Sequence, residues 1–330
     1  MNIAINGFGR IGIAVLKICL DRKLPVTVIN DPHGVESAAY LLKHDSVYGR
    51  YEREVKIDKD FLIVAGRKIK VIAERDLNKI NWKALSVNVI VESTGVFKNK
   101  EANAPHFKNG AQYVLITAPA DDPDITIVPG VNHQKLNKNH KLISVASCTT
   151  NCLTPVLKVL HDNFTINRAL MTTVHAYTND QVLHDQSHKK RRRGRAGALN
   201  MIPTSTGAAE AVASVLPELQ GRVNGLAVRV PVPVGSLVDL VAELEKPFEV
   251  KTINEAFKKA SQKEMKGIIE YSEEELVSSD VIKNPNSAVF DSKSTQADGN
   301  LVKVLAWYDN EYGYSQRVVD VLQMVRKWVK

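Results

Sequence analysis

Cysteine is scarce in this chain: its 330 residues include only three, and no two of them form a Cys-x-x-Cys pair. An odd number without that spacing argues against a disulfide-stabilised fold and against a structural zinc site. The sequence also lacks an apolar run of the roughly 20 residues that a membrane-spanning helix needs, and it lacks a basic leader followed by an apolar segment. These absences predict a protein of the reducing cytoplasm, with no metal site and no membrane partner.

The composition is that of a globular protein, with 44% hydrophobic and 24% charged residues. A chain of this length predicts about two domains. The net charge of +8 suits anionic ligands such as phosphates, but it is spread along the chain. One basic run, Lys-Lys-Arg-Arg-Arg at residues 189–193, has three interpretations. We prefer a solvated or subunit-interface loop; the others are a contact to cofactor or substrate phosphate, and a surface for nucleic acid or an acidic partner.

The first 31 residues have the pattern of a strand, a helix and a second strand. An apolar strand at 2–6 is followed by glycines 7, 9 and 12, a helix to about residue 20, and a second strand at 26–29. Asp31 follows that strand, about 20 residues after the last glycine, as the dinucleotide-binding fingerprint requires. The first glycine permits a tight turn, the second a close approach to a pyrophosphate, and the third close packing of helix on strand. This context predicts a bound dinucleotide.

Further apolar runs extend that pattern as far as about residue 147. Continuous runs at 87–92, 113–117 and 142–145 suit strands buried on both faces, and helical stretches at 37–43 and 100–109 lie between some of the strands. We expect a doubly wound, mostly parallel Rossmann-type sheet here. After residue 150 the strands are longer and alternate, which predicts an α+β domain with a largely antiparallel sheet. Residues 314–329 are predicted to form an amphipathic helix.

A cysteine stands at a predicted helix start in Ser147-Cys148-Thr149-Thr150-Asn151-Cys152. Unpaired backbone N–H groups and the positive end of the helix dipole favour a thiolate there, so we expect a lowered pKa and a nucleophilic Cys148. His175 ends the predicted strand at 169–175 and is the candidate base. A thiolate together with a nicotinamide predicts aldehyde oxidation through a thiohemiacetal and a thioester. Cys19 and Cys152 are expected to be small buried hydrophobic residues.

These residues resemble the phosphorylating glyceraldehyde-3-phosphate dehydrogenase family over the whole length of the chain. The matching motifs, in the family's order, are Asn6-Gly7-Phe8-Gly9-Arg10-Ile11-Gly12, Ala146-Ser147-Cys148-Thr149-Thr150-Asn151-Cys152, Thr172-Thr173-Val174-His175-Ala176-Tyr177-Thr178, Ile202-Pro203-Thr204-Ser205-Thr206-Gly207-Ala208-Ala209 and Trp307-Tyr308-Asp309-Asn310-Glu311. The resemblance implies oxidation of D-glyceraldehyde 3-phosphate with inorganic phosphate and NAD to 1,3-bisphosphoglycerate, by a homotetramer.

The resemblance also implies roles for individual residues. Cys148 is similar to the family's nucleophile and His175 to its activating base. Asn310 resembles the residue that holds the nicotinamide carboxamide. The other implied cofactor contacts are Gly7, Gly9, Arg10, Ile11, Gly12, Asp31, Arg75, Thr94, Gly95 and Thr117. The implied substrate and phosphate contacts are Ser147, Cys148, Thr149, Thr178, Arg195, Thr206, Gly207 and Arg229.

Domain boundaries follow from the same reading: a cofactor domain at 1–147, completed by the C-terminal helix at 314–330, and a catalytic domain at 148–313. Gln186-Ser187 departs from the Leu-Pro of NAD-specific members, while Asp31 repels a 2′-phosphate, so we expect NAD with possible NADP use. A related branch, erythrose-4-phosphate dehydrogenase, is the alternative; Tyr177-Thr178 and Thr206-Gly207 argue against it. Val234, where the family often has Asn, is a departure without a predicted effect.

Overall fold

The computed structural model describes residues 1–329, which form two compact units. The first consists of Met1–Ile127, Gln134–Ala146 and the segment that begins at Ser315; the second consists of Val128–His133 and Ser147–Tyr314.

The first unit is built on one nine-stranded sheet. Its elements are β1 (Ile3–Asn6), α1 (Arg10–Asp21), β2 (Val26–Asn30), α2 (Gly34–Lys43), β3 (Val55–Asp58), β4 (Phe61–Val64), β5 (Arg67–Ile72), β6 (Val89–Glu92), α3 (Lys100–Lys108), β7 (Tyr113–Ile116), β8 (Ile125–Thr126) and β9 (Leu142–Ser144). The strand order is β3-β4-β5-β2-β1-β6-β7-β9-β8.

From β5 to β8 every neighbouring pair of strands in this sheet is parallel, and only the β3-β4-β5 edge is antiparallel. Every residue of β1, β6 and β7 is buried. Continuous apolar strands of this kind are what a sheet covered on both faces requires. The expected doubly wound, mostly parallel sheet is confirmed.

The second unit carries a seven-stranded sheet. Its elements are α4 (Cys148–Phe164), β10 (Ile166–Ala176), β11 (Ile202–Thr204), α5 (Ala208–Val215), β12 (Val223–Val230), β13 (Ser236–Leu244), α6 (Val250–Gln262), β14 (Ile269–Ser272), β15 (Ala288–Asp298) and β16 (Leu301–Tyr308). A last helix, α7 (Tyr312–Val325), begins in this unit and passes into the first at residue 315. The strand order is β11-β12-β10-β13-β16-β15-β14.

This second sheet is largely antiparallel, as expected, with parallel pairs only at β10–β12 and β14–β15. Burial alternates strictly along β13, so one face of the sheet packs into a core and the other is only half-buried. The parallel pairing of β10 with β12 places His175 opposite Arg229. Two side chains from distant parts of the sequence are thereby brought together at one end of the sheet.

Several elements differ from their sequence-based bounds. Helix α2 begins at Gly34 rather than at residue 37, and α7 ends at Val325, followed by a short 3-10 turn. The antiparallel edge from Val55 to Ile72 and strands β14 and β15 were not predicted. Short strands such as β3, with three exposed residues out of four, have little apolar periodicity to detect.

Within residues 1–329, no helix is both long enough and apolar enough to cross a membrane.

Candidate functional site

The three fingerprint glycines of the first unit meet different steric demands. Gly7 has φ +92°, and a Cβ there would lie 2.7 Å from the backbone nitrogen of Thr94. A Cβ on Gly12 would lie 2.2 Å from the carbonyl oxygen of Gly7, so only glycine lets α1 approach β1 this closely. Gly9, at the start of α1, faces open space, with nothing within 4 Å of an added Cβ. The exposed backbone at Gly9 fits the approach of a pyrophosphate to a helix N-terminus.

A buried carboxylate, Glu92, organises the strand ends beside this turn. Its Oε1 accepts hydrogen bonds from the backbone N–H (2.9 Å) and the hydroxyl of Thr94. Its Oε2 accepts from Asn6 and lies 3.3 Å from Nε2 of His106. Trp82 donates to Nδ1 of His106 at 3.0 Å, which leaves the imidazole proton on Nε2, directed at Glu92. Glu92 therefore joins β1, β6 and α3 and fixes the position of Thr94.

The remaining predicted cofactor residues of this unit lie around the same sheet end. Asp31 is largely buried, and its Oδ1 accepts a hydrogen bond from the His33 backbone at 2.8 Å. Arg10 pairs with Asp45 at 2.9 Å. Thr117 donates to the Glu92 carbonyl oxygen at 3.1 Å. Ile11 lies in the first turn of α1, and Gly95 and Arg75 are exposed in turns after β6 and β5.

The candidate nucleophile occupies the first turn of α4 in the second unit. Ser147 is the N-cap of that helix, and its Oγ accepts the Thr150 backbone N–H at 3.0 Å. The residue before it, Ala146, has φ +54°, a conformation that is rare for a residue with a side chain. The capped helix thus begins at Cys148, whose side chain is half-buried. Ser147 therefore contributes to the site by capping the helix that carries Cys148.

Cys148 and His175 are in contact: Sγ lies 3.4 Å from Nε2. The other ring nitrogen, Nδ1, lies 2.7 Å from the carbonyl oxygen of Ala176. A carbonyl oxygen only accepts, so Nδ1 carries the proton, and Nε2 presents its lone pair to the sulfur. This tautomer makes Nε2 the base for the thiol.

The expectation of a lowered thiol pKa is wrong for the free protein. Burial raises the pKa of Cys148, and the positive charge of Arg229 and hydrogen bonds at the start of α4 offset this only in part. Burial and the same arginine lower the pKa of His175 to about 3, with Arg193 adding to the effect and the hydrogen bond to Ala176 opposing it. Helix α4 does begin at Cys148, as expected, but the cost of burying a charged thiolate outweighs the stabilisation that the helix start provides. The pair is therefore thiol and neutral imidazole.

Arg229 extends the site away from the sulfur. Its Nη1 donates to Thr178 Oγ1 at 3.0 Å and to the Ala176 carbonyl at 3.3 Å. Its Nε is buried without a hydrogen-bond partner. A buried guanidinium with an unused donor is suited to receive an anion, since charge-assisted bonds would satisfy that donor. Arg229 and Thr178, both predicted from the sequence, thus form one cluster with His175.

A second arginine, Arg193, belongs to this neighbourhood; the sequence analysis assigned it no role beyond the phosphate contact considered for the whole run at 189–193. Arg193 donates to Thr204 Oγ1 and to the Ser205 carbonyl, each at 3.0 Å, and pairs with Asp180. Its charge acts on both His175 and Arg229. The predicted Arg195 instead pairs with Asp185 at 2.6 Å, and its side chain is 62% exposed. Within a run of arginines only the backbone geometry decides which one turns inward.

Three further predicted residues have specific local roles. The hydroxyl of Thr149 is buried and bonded to Tyr308 at 2.8 Å. Thr206 accepts the Ala208 backbone N–H at 3.2 Å and thereby shapes the start of α5, where Gly207 is exposed. Asn310 is almost fully buried, and its Oδ1 accepts hydrogen bonds from Ser236 and Gly235.

Among residues 1–329, no cluster of His, Cys, Asp or Glu side chains is arranged to hold a metal ion.

The two units contain the parts of an NAD-dependent oxidoreductase that works through a cysteine. Comparison with known proteins identifies the family. Residues 1–100 match the NAD binding domain of glyceraldehyde 3-phosphate dehydrogenase, and residues 147–310 match its C-terminal domain. The chain is similar to the glyceraldehyde-3-phosphate dehydrogenases of Priestia megaterium (52% identity, covering 98% of both chains) and Geobacillus stearothermophilus (52%, covering 97% of both). It is 51% identical to glyceraldehyde-3-phosphate dehydrogenase 1 of Bacillus subtilis, covering 99% of this chain and 98% of that one. The chain belongs to the glyceraldehyde-3-phosphate dehydrogenase family.

Proposed function

We propose that this protein oxidises D-glyceraldehyde 3-phosphate to 1,3-bisphosphoglycerate, using inorganic phosphate and NAD. The observation that carries the proposal is the Cys148–His175 pair, with Sγ at 3.4 Å from a ring nitrogen whose lone pair is fixed toward it. A nucleophile within reach of an oriented base is what covalent catalysis on an aldehyde requires.

The reaction proceeds on the sulfur. His175 Nε2 takes the thiol proton as Sγ attacks the aldehyde carbon, and the thiohemiacetal oxygen is stabilised by backbone N–H groups at the start of α4. Bound NAD supplies the hydride acceptor. As the carbon gives up its hydrogen as hydride, the oxyanion becomes the carbonyl of a thioester, and His175 keeps the proton that it took from the thiol. An oxygen of inorganic phosphate then attacks the thioester carbon, the phosphate proton is released to solvent, the C–S bond breaks, and Cys148 leaves as a thiolate that recovers its proton from His175.

Phosphate groups are bound by the guanidinium groups and hydroxyls near the pair. Arg229 with Thr178 forms one anion site, and Thr206 with the backbone of Gly207 contributes to another. Two loop arginines are candidates to complete them: Arg195, from the family resemblance, and Arg193, from its contacts. Arg193 is favoured, because its side chain is less exposed than that of Arg195 and its positive charge lowers the pKa of His175.

The cofactor lies on the glycine turn of the first unit, with Asp31 on a ribose. The carboxylate of Asp31 repels a 2′-phosphate, so NAD is the preferred form, with NADP as a weaker one. Ser187, which is exposed, and the cations of its loop are the groups that would accept a 2′-phosphate if NADP is used. A comparison of kcat/KM for the two cofactors tests this point, and a strong NADP preference would overturn it.

The exposed face of the second sheet supports a homotetramer. Leu170 is 67% exposed and Leu226 is 44% exposed, on neighbouring strands β10 and β12. An apolar sheet face of this kind favours a protein partner, and a second copy of the chain supplies one with the same surface. A reduced, cytoplasmic setting follows from the need of Cys148 for a free thiol.

The deciding experiment measures NAD reduction at 340 nm with glyceraldehyde 3-phosphate and inorganic phosphate, each component being omitted in turn. Reduction that needs all three, and that is lost in Cys148→Ser, is the expected result. Reduction without phosphate would mean that the product is a free acid. Faster reduction with erythrose 4-phosphate than with glyceraldehyde 3-phosphate would indicate an erythrose-4-phosphate dehydrogenase. The absence of reduction with both NAD and NADP would contradict the proposal.

A further inference from the structure

A line of buried polar side chains runs beside the glycine turn of the first unit. It passes from Trp82 through His106, Glu92 and Asn6 to Asn30, and each side chain is hydrogen-bonded to the next. All five are at most 3% exposed. Glu92, Asn6 and Asn30 end the neighbouring strands β6, β1 and β2. Between β1 and β6 the strand order changes direction, and an open parallel sheet binds its ligand at the carboxyl ends of the strands at such a point.

Backbone groups fix the direction of the bonds at one end of this line. Asn30 Oδ1 accepts the Glu74 N–H at 3.0 Å and Asn30 Nδ2 donates to the Glu74 carbonyl at 2.8 Å, so this amide cannot turn over. Asn30 Nδ2 also donates to Asn6 Oδ1 at 2.7 Å. The amide of Asn6 is thereby fixed as well, with Nδ2 directed as a donor at Glu92.

Glu92 receives four donors, three of which cannot change role. At the other end of the line the indole N–H of Trp82 uses Nδ1 of His106, so the imidazole proton lies on Nε2 and points at Glu92. The Thr94 backbone N–H is a donor only, as is Nδ2 of Asn6. The fourth donor is the Thr94 hydroxyl, which can rotate. A carboxylate accepts all four, whereas a side chain with an N–H group in place of one oxygen leaves a fixed donor without an acceptor.

Thr94 depends on this carboxylate, whereas the residue before it does not. Ser93 is tied to the glycine turn by its own hydroxyl, which donates to the Gly7 carbonyl at 2.7 Å. The Thr94 N–H and hydroxyl both go to Glu92, and the same hydroxyl oxygen accepts the Val96 N–H at 3.1 Å. Glu92 thus holds the turn that follows β6. Gly7 lies against this turn, since a Cβ there would be 2.7 Å from the Thr94 nitrogen.

We propose that Glu92 is a positioning residue for the dinucleotide: its carboxylate holds Thr94 and the turn after it against Gly7, in the arrangement that receives the cofactor. The inference rests on the proposed function, in which NAD lies on the glycine turn. A turn that is held before the ligand arrives lowers the entropic cost of binding. Glu92 is 2% exposed and acts through Thr94, and all of these residues lie in the first unit.

Glu92→Gln is nearly isosteric and distinguishes the two sides of the carboxylate. Asn6 and His106 present two donors that cannot change role, whereas Thr94 presents one such donor and a hydroxyl that can turn to accept. The glutamine oxygen is therefore expected to face Asn6 and His106, and its amino group to face Thr94. This variant releases the turn after β6 and keeps the rest of the line.

The test measures the dissociation constants of ADP-ribose and NAD by calorimetry, the KM values for NAD and for glyceraldehyde 3-phosphate, and the thermal midpoint. ADP-ribose lacks the nicotinamide, so its binding reports on the glycine turn. Tyr113→Phe is the matched control, because Tyr113 is 1% exposed in the same unit and its hydroxyl donates to the Lys138 carbonyl at 3.1 Å. Tyr113 begins β7, opposite Val89, at the other end of the sheet from Glu92.

Glu92→Gln is expected to weaken the binding of ADP-ribose and NAD about tenfold, the effect of about one lost buried hydrogen bond. The KM for NAD is expected to rise to a similar extent, with the KM for glyceraldehyde 3-phosphate unchanged. Tyr113→Phe is expected to lower the thermal midpoint and to leave both dissociation constants as in the wild type. Wild-type ADP-ribose affinity in Glu92→Gln, an equal rise of both KM values, or an equal loss of affinity in Tyr113→Phe would overturn the proposal.

A double variant separates the position of Thr94 from stability, and it keeps the test decisive if Glu92→Gln alone does not fold. Asn6→Asp combined with Glu92→Gln moves the carboxylate along the line to position 6, where it accepts from Asn30 and from the glutamine amino group. The glutamine oxygen then faces Thr94 again, and His106 is the donor left without a partner. ADP-ribose affinity is expected to lie within about threefold of the wild type while the thermal midpoint stays low. An affinity about tenfold or more below the wild type would overturn the proposal.

The two levels of inference fail separately. A wild type that binds neither ADP-ribose nor NAD refutes the proposed function. A wild type that binds both, with Glu92→Gln binding them equally well, refutes only the role of Glu92.

Discussion

Cys148 and His175 illustrate how burial can override local electrostatics at a single residue. The capped start of α4 supplies the N–H groups that favour a thiolate, yet burial raises the thiol pKa and lowers the imidazole pKa to about 3. Both shifts favour the thiol and the neutral imidazole in the free protein. We therefore expect the proton to move to Nε2 together with attack on the aldehyde, so that little reactive thiolate is exposed before substrate binds.

The depressed pKa of His175 makes stability depend on pH. Between pH 6.5 and about 3 the unfolded chain binds a proton at this residue and the folded chain does not, so the free energy of unfolding falls as pH falls through that window. His175→Asn is expected to flatten this slope by about 1 kcal/mol per pH unit, as measured by urea unfolding at pH 4.5, 5.5 and 6.5. His184→Asn, at an exposed position, is the control. An unchanged slope in His175→Asn would contradict the assignment.

Replacing each loop arginine in turn distinguishes the two candidates for the anion site. Arg193→Gln is expected to raise the KM for glyceraldehyde 3-phosphate or for phosphate at least tenfold, since it removes a largely buried guanidinium (about 1.5–3 kcal/mol for a charged hydrogen bond). Arg195→Gln breaks an exposed ion pair with Asp185, worth about 1 kcal/mol or less, and is expected to change either KM less than threefold. The reverse order would show that the family-based assignment to Arg195 was right.

At the scale of elements, the glycine turn shows how one motif combines fold and function. Gly12→Ala is expected to destabilise the first unit, since its Cβ would overlap the Gly7 carbonyl. Gly9→Ala has open space and φ −84°, so it is expected to keep wild-type stability while NAD affinity falls, because the methyl group stands where the pyrophosphate approaches. Thermal melts and NAD titration of both variants check this. Equal loss of stability, or an unchanged NAD affinity in Gly9→Ala, would contradict it.

Elements with a strong periodic signal were predictable from the sequence, and elements defined by tertiary contacts were not. The strand–glycine–helix unit, the parallel sheet and the alternating strand β13 all follow from apolar spacing. The β3-β4-β5 edge has four to six residues per strand and many exposed charges, so its signal is weak. In the site, Cys148 and His175 could be found from their motifs. Arg193 could not be singled out within its basic run, because its orientation depends on contacts with Asp180 and Ser205.

At the scale of the whole molecule, the more exposed face of the second sheet carries apolar side chains. Leu170, Leu226 and Leu301 are each more than 40% exposed there. Ion pairs such as Arg168 with Glu243 and Lys303 with Asp239 lie on the same sheet. Apolar side chains with charges of both signs are compatible with the proposed contact between identical chains, in which the same surface lies on both sides.

Placing carboxylates on this face is expected to dissociate the proposed tetramer. Leu170→Asp combined with Leu226→Asp would bury two unpaired charges between subunits, at a cost of several kcal/mol each. Light scattering after size exclusion should then give the mass of a smaller assembly, whereas the wild type is expected to give four times the chain mass. Ile57→Asp is the control, because Ile57 is 43% exposed on the edge strand β3 of the other sheet. An unchanged mass in the double variant would exclude this face as a subunit contact, and a wild type that is monomeric at every concentration would refute the tetramer itself.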